Sequence, residues 1–479
     1  FGTLAARAAV RDAGRALGMP LDLVDRLAKQ IPMGISLAEA MEGIPELRRA
    51  YEEDERARRL LDTALKIEGL VRHVSTHAAG VVIAPMPLTE RVPLQRSPGG
   101  GELPTTQFDK DDIEALGLMK LDILGLRTLT VVRDTVELVR QTRKVDVDLS
   151  SLSLDDPKAF ALLRRGDTAG VFQLESAGMQ RLLREASPDT FDELVAIIGL
   201  YRPGPLQSGM VEEYIQNKRQ GRVTSIHPAI DHILSETRGV VLYQEQVMQI
   251  ASEIAGYSMA EADTLRRAVS KKKREVIEEQ RKVFIERAVE RGIEREDAER
   301  IFGIIESFGS YGFNKSHSAV YALLAYWTAY LKANFPLEFM AALLTSIQAN
   351  KDKLSRYVEE CKRMGIDVLP PDVNRSGVDF TVEGSAIRAG LAAIKNVGRQ
   401  AAEAVVRARE RLGEFRDLYD FCEKVDLRQV DKRAIEAMIK VGAFDGICVS
   451  RAGALQELPS AMDHGQNCLL YTSDAADDG

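Results

Sequence analysis

Long apolar runs are missing from this 479-residue chain: no stretch approaches the ~18 consecutive apolar residues that a bilayer-spanning helix requires. Cysteine is scarce, with four residues at 361, 422, 448 and 468 and no C-x-x-C spacing among them. That pattern excludes a disulfide framework and offers no zinc site. A surplus of positive charge is absent too. The formal net charge of −8 argues against a wholly basic nucleic-acid coat, although an average hides local patches. No secretory signal opens the chain; FGTLAARAAV reads as the inside of a helix, as in a chain cut from something longer. These absences give a cytoplasmic reading, and the length suits about three domains.

What is present is mostly helical. Residues 1–72 are rich in Ala, Arg, Leu and Glu, with turns at Gly18-Met19-Pro20, Pro32-Met33-Gly34 and Gly43-Ile44-Pro45. From 73 the texture changes, and β-rich runs are expected at Gly80–Ala84 and Thr105–Phe108. A third, GLMKLDILGLRTLT (117–130), alternates: Met119, Leu121 and Ile123 fall on one face, Lys120 and Asp122 on the other. The apolar face is expected to be buried, leaving a carboxylate beside an ammonium on a rigid strand that turns at Gly125 into a helix. Helices then dominate to about 365. A break at Leu369-Pro370-Pro371 and a β-leaning stretch at 378–389 precede a last helical module, 391–445. The fold class is α+β, mostly helical. The terminal CLLYTSDAADDG, 468–479, fits no preceding pattern and resembles a translated end sequence used in preparing sequencing libraries; it is expected to be non-native.

Several segments could carry chemistry. Asp122 reads either as a strand-end acid paired with Lys120 or Arg127, or as a site carboxylate, because an acid on a strand built for burial needs a cation. In SMAEADTLRRAVSKKKREV (258–276), Ser258 and Glu261 form a capping box that starts a helix. Arg266, Arg267, Lys271, Lys272, Lys273 and Arg274 then place six cations within nine residues, either a solvated helix end or a phosphate clamp. In SYGFNKSHSAVYALLAYWTAYLKANFP (310–336), Ser316 or Ser318 can cap a long apolar helix. Asn314, Lys315 and His317 would then sit at its start, where cations do not help stability but anions bind. The aromatic stripe of that helix (Tyr321, Tyr326, Trp327, Tyr330) reads as core. YRPGPLQSGM (201–210) is a stiff turn with Arg202 at its base. AIKNVGRQAAEAVVRAR (393–409) has a helix-hairpin-helix pattern, with Asn396 where glycine is usual, then Val397-Gly398 turning into a helix that bears Arg399. A second candidate hairpin is IEAMIKVGAFDGI (435–447). His73 and His77, without acidic or Cys partners nearby, suit packing or polar contacts better than metal.

The motifs HAAGVVIAP, TQFDKDDIEALGLMKLDILGLRTLT, GVFQLES, YRPGPLQSGM, GVVLYQEQVMQIA, LRRAVSKKK, FNKSHSAVYA, LPPDVN and AIKNVG together resemble the alpha subunit of bacterial DNA polymerase III, the replicative C-family polymerase. The resemblance runs from Phe1 to about Leu458. It implies a thumb at 1–78, a nucleotidyltransferase-type, polymerase-beta-like palm at 79–127, fingers at 128–390, a helix-hairpin-helix duplex-binding module at 391–458 and a tail at 459–479. It also implies template-directed attack of a primer 3′-hydroxyl on a deoxynucleoside triphosphate with two Mg²⁺ ions. Asp122 would be the third palm carboxylate and a metal ligand. Lys120, Arg266, Arg267, Lys315 and His317 would face the triphosphate. Lys271, Lys272, Lys273, Asn396, Gly398 and Arg399 would face primer–template DNA. The family's other two catalytic carboxylates lie on a D-x-D strand before the segment that starts at Phe1, so the isolated chain is expected to be inactive. The sliding-clamp motif is likewise expected to lie outside it, with clamp and other replisome subunits as partners of the intact protein.

Two internal D-x-D pairs are set aside. Asp146 and Asp148 follow the palm strand and match a linker, and Asp109 and Asp111 sit in a charged, turn-like run. The rival to a polymerase fragment is a non-catalytic DNA-binding module that uses the hairpins and basic helix end alone. An enzyme built on Asp146 and Asp148 is a third reading.

Overall fold

Alanine, valine and leucine recur at helical spacing through the first seventy residues, and Ala9, Val10, Ala13, Val24, Leu27, Leu60, Leu61 and Ala64 close one small core. In the computed structural model this core belongs to the first of two units, Phe1–Leu126 and Arg127–Gly479. The structure describes all residues except 33, 98–99, 101–102, 222–223, 271–273, 310–311 and 475–479, and no side chain from 468 onward.

The first unit opens differently from the expected helix interior. Gly2–Thr3 is a short strand paired antiparallel with Val71–His73, and the first helix starts only at Ala6. Helices Ala6–Ala16, Leu21–Gln30, Leu37–Gly43, Pro45–Glu53 and Glu55–Ile67 follow. Ser36 and Glu39 make a reciprocal capping box, and Asp54 caps the last of the five. Gly80–Ile83 then pairs antiparallel with Met119–Asp122, in the register Gly80↔Asp122, Val81↔Leu121, Val82↔Lys120 and Ile83↔Met119. The run expected at 105–108 forms a strand only at Thr105–Thr106, which pairs with Leu94–Gln95. Asp109 caps the helix Lys110–Ala115, which accounts for that acid structurally.

The alternation in Met119–Ile123 correctly sorts its faces, but the apolar face is not buried. Met119 is 59% exposed, Leu121 43% and Ile123 68%, and their cross-strand neighbours Val81 and Ile83 are exposed as well. Period two states which residues share a face; it does not state what covers that face. A two-stranded ribbon has no second layer of its own, so the expectation of burial fails here.

The second unit is built on apolar helices. Phe191–Leu200 is buried on nearly every side and packs against Lys315–Asn334, alongside Pro157–Arg165 and Ala177–Ala186. Its Glu193 is only 5% exposed and is held by Lys218 Nζ at 2.7 Å, Arg238 Nη2 at 3.0 Å and the amide of Asp189 at 2.8 Å. A buried carboxylate persists only with such partners. A second cluster joins Gln244–Ala255, Met259–Ser270, Arg274–Glu290 and Arg295–Phe308. In a third, Arg127–Arg143 lies against Pro336–Ile347, fixed by a bidentate Arg143–Glu338 pair at 2.7 and 2.9 Å. This third core also takes in a three-stranded sheet: Ala386–Arg388 pairs parallel with Val368–Leu369 and antiparallel with Thr381–Glu383. The last cluster packs Arg399–Leu412, Leu418–Lys424 and Lys432–Val441 against the helix that begins at Arg451. Asp146 and Asp148 lie outside any strand, and Asp148 accepts from the amide and hydroxyl of Ser150 at 2.9 and 2.7 Å. No helix among the described residues is long and apolar enough to cross a membrane.

Candidate functional site

The strand end at Asp122 is the first candidate. The antiparallel register sets Asp122 opposite Gly80, where a side chain would meet the Lys120 stem, His77 and Asp122 itself within about 3.3 Å. Lys120 lies on the same face and donates to Asp122 Oδ1; this ammonium holds the carboxyl below the usual carboxylate range. His77 belongs to a loop, not a helix, and its Nδ1 accepts from the amides of Gly80 at 2.7 Å and Ala79 at 3.2 Å. The same Nδ1 lies 3.8 Å from Asp122 Oδ1. Asp122 stays about half exposed. The first unit therefore brings together Lys120, Asp122 and His77.

The second candidate gathers around the start of the helix Gln244–Ala255. The capping box of Ser258 with Glu261 forms as expected, with bonds of 2.8–3.3 Å, and starts the helix Met259–Ser270, which bears Arg266 and, in its last turn, Arg267. Both arginines turn onto Asp263, at 2.6 Å for Arg266 and 2.8 Å for Arg267, and chiefly the Arg266 bond holds that carboxyl below its ordinary range. Arg266 Nη1 also donates to Gln244 Oε1 at 3.0 Å. Lys271, Lys272 and Lys273 lie outside the described residues.

Asn314, rather than Ser316 or Ser318, caps the helix Lys315–Asn334, because its Oδ1 reaches the His317 amide at 2.8 Å. Ser318 is instead buried, donating to the Val195 carbonyl at 2.7 Å. The anion expected at this helix start is internal: Glu245 accepts from the Lys315 amide and from Asn314 Nδ2, each at 3.0 Å. The Lys315 ammonium turns to Glu236. Neighbouring residues 244 and 245 therefore link the Arg266 helix to the Lys315 helix, and the Gln244 amide adds a 2.8 Å bond to the Phe313 carbonyl. Sequence reasoning did not single out Gln244, Glu245, Asp263 or Glu236. The available signal was the polar Q-E pair inside the motif GVVLYQEQVMQIA.

Arg202 joins this region through Phe313, stacking its guanidinium 4.0 Å from the ring centroid. Phe313 meets the His317 ring edge-on at 5.3 Å, and His317 stacks on Tyr321 at 4.2 Å. The result is a continuous ladder of one cation and three rings. Arg202 also donates to the Gly199 carbonyl at 2.8 Å, and burial pulls its guanidinium below its ordinary value. The segment after it is a five-residue helix, Pro203–Gln207, rather than an irregular turn, since Pro203 at the first helical position already has the required φ. Within the aromatic stripe, Tyr326 is fully buried, as read from sequence, whereas Tyr321 is only partly covered.

In the C-terminal module Asn396 adopts φ 70°, the left-handed conformation that its place in the hairpin requires. Gly398 starts the helix Arg399–Leu412 with no side-chain cap and open space around it. Arg399 pairs with Asp379 at 2.6 and 2.8 Å, which raises its guanidinium above the ordinary value. The second hairpin turns at Gly442, φ 90°.

A family model for the bacterial DNA polymerase III alpha NTPase domain matches residues 1–125, and one for the bacterial DNA polymerase III alpha subunit finger domain matches 128–292. A helix-hairpin-helix motif model matches 365–454. Among curated proteins, DNA polymerase III subunit alpha of Thermus aquaticus is 48% identical over 93% of this chain and 37% of its own length. The Caulobacter vibrioides (strain NA1000 / CB15N) protein is 46% identical over 98% of this chain, and the Escherichia coli (strain K12) protein 45% over 96%, each over 41% of the relative. This chain thus spans about two fifths of the length of the relatives it matches. With two successive domain models and near end-to-end identity of this order, the chain belongs to the bacterial DNA polymerase III alpha subunit family.

Proposed function

We propose that this chain supplies palm, thumb, finger and duplex-binding parts of a template-directed DNA polymerase that extends a primer 3′-hydroxyl with deoxynucleotides. The observation that carries the reading is the unbroken succession of the NTPase-domain match at 1–125 and the finger-domain match at 128–292. In this reading 1–78 is the thumb, 79–127 part of a polymerase-beta-like palm, 128–390 the fingers and 391–458 the duplex-binding module. Asp122 is its palm carboxylate and Lys120 the neighbouring cation that keeps it ionised. Arg266, Arg267, Lys315 and His317 serve the incoming triphosphate, and Lys271, Lys272 and Lys273 the DNA backbone. The exposed, uncapped helix start at Gly398, beside Asn396 and Arg399, suits a duplex phosphate.

The two Mg²⁺ ions of such chemistry would polarise the hydroxyl and the leaving pyrophosphate. Among the described residues no group of three metal-ligating side chains forms, and Asp122 gives one of its oxygens to Lys120. An octahedral Mg²⁺ is not held by this donor set alone. What the chain's own residues contribute is positioning and charge: cations for the triphosphate and helix-start amides for the duplex.

Anisotropy of a labelled primer–template with the 479-residue chain tests the reading. The complementary deoxynucleoside triphosphate should tighten binding several-fold, and Arg266→Ala with Arg267→Ala should abolish that gain. Duplex binding indifferent to nucleotide and to both substitutions, across a salt series, would establish the rival, a non-catalytic DNA-binding module. Primer extension with Mg²⁺ should be absent; robust extension would overturn the incomplete carboxylate set.

A further inference from the structure

Arg7, Arg11 and Arg15 follow one another at i, i+4 and i+8 along the helix Ala6–Ala16, so their guanidinium groups share one face and repel. Arg72, from the strand Val71–His73, joins the same face. All four line a cavity of about 470 Å³ together with Asp12 and the small apolar residues of the helix's first turn. Among the described residues, the carboxylates paired with them are two. Asp12 is shared by Arg72 at 2.9 Å and Arg15 at 3.3 Å, while Asp25 takes Arg11 at 2.8 Å. Arg7 spends its Nε on the Ile31 carbonyl. Four guanidinium groups against two carboxylates leave the cavity with two positive charges in excess.

Ordinary surface pairing would match each arginine with an acid, or spread the arginines around the helix. Here they converge on a space that no side chain among the described residues fills. The guanidinium fork matches the oxygens of a phosphate in bidentate geometry, which an ammonium cannot do. The arginines carry the argument, and the first helical turn adds to it: its cap is Ala5, which has no side-chain acceptor for the free amides. We propose that Arg7, Arg11, Arg15 and Arg72 form a phosphate-binding site, taking either a DNA backbone phosphate or a free phosphate or pyrophosphate. The site stands on these residues and does not require the polymerase reading.

The test uses the full chain, wild type and Arg7→Ala/Arg15→Ala, with calorimetric titration of inorganic phosphate and pyrophosphate and anisotropy of a labelled DNA duplex. If the ligand is a free anion, pyrophosphate binds the wild type and the double variant loses at least tenfold. If it is the backbone, the free anions fail to bind. Duplex affinity then falls about tenfold, with a logarithmic salt slope smaller by one to two units. Arg15→Glu, at an exposed position, repeats the measurement without risk to packing. A variant with wild-type circular dichroism and unchanged affinity for phosphate, pyrophosphate and duplex overturns the proposal.

Discussion

The strand pair that carries Asp122 and the helix starts around Gln244 both hold acid–base pairs at positions of functional interest, yet they are held in different ways. Asp122 and Lys120 sit on a two-stranded ribbon whose apolar face is open to solvent. Glu245, Asn314, Lys315 and Arg266 sit on helices whose other faces are sunk into cores that include Tyr243, Ile250, Leu265 and Tyr326. The ribbon's geometry depends on a few backbone hydrogen bonds, whereas that of the helix starts depends on whole packed layers. Local charge pattern alone would rank the two alike; burial separates them.

The largest effect that sharpens this contrast is expected from Glu193→Ala beside the second region. Removing a buried carboxylate leaves Lys218 and Arg238 without it and should cost about 3 kcal/mol in urea unfolding. Asp122→Ala should leave the urea midpoint unchanged; equal losses at the two sites would erase the distinction.

A smaller, pH-dependent effect belongs to the C-terminal module. Burial would raise the Asp420 carboxyl, but Lys424 Nζ at 2.8 Å and the Arg416 amide at 2.9 Å outweigh it and hold the carboxyl at about 2. The folded value lies below the unfolded one of about 4, so the stabilisation is complete above pH 4 and disappears as pH falls toward 2. It should amount to roughly 2 kcal/mol. Urea midpoints at pH 5, 3 and 2.5 should show a shallower acid loss for Asp420→Asn than for wild type; parallel slopes would remove Asp420 from the account.

The smallest effect concerns the ribbon itself. Met119→Thr with Ile123→Thr should reduce binding of a hydrophobic dye while leaving the urea midpoint in place, since these side chains bury little. A drop in midpoint would mean that the ribbon contributes more to folding than its exposure indicates.

Local chemistry was the legible part of the sequence. Ser258 with Glu261 announced a helix start, and Asn396 announced a left-handed turn, because each depends on residues within four positions. Helix order, the strand at 119–122 and the following helix from Arg127 could be read for the same reason. The link from Glu245 to Lys315 spans seventy residues and leaves no period to find. Arg266 and Arg267 could be read as a basic cluster, but not as arginines already occupied by Asp263. Nor could alternation reveal that Met119 and Ile123 face solvent, since coverage is a property of other segments.

Asp263 has a further consequence for how this region meets an anion. Held between Arg266 and Arg267, it already neutralises part of their charge, as a mobile counterion would in solution. A phosphate arriving there exchanges one anion for another, and fewer free ions are released than the number of arginines suggests. If this helix end takes nucleotide or DNA as proposed above, its affinity should vary less steeply with salt than its cation count implies. Its selectivity would then rest on the shape of the incoming phosphate, matched against a carboxylate the protein carries itself.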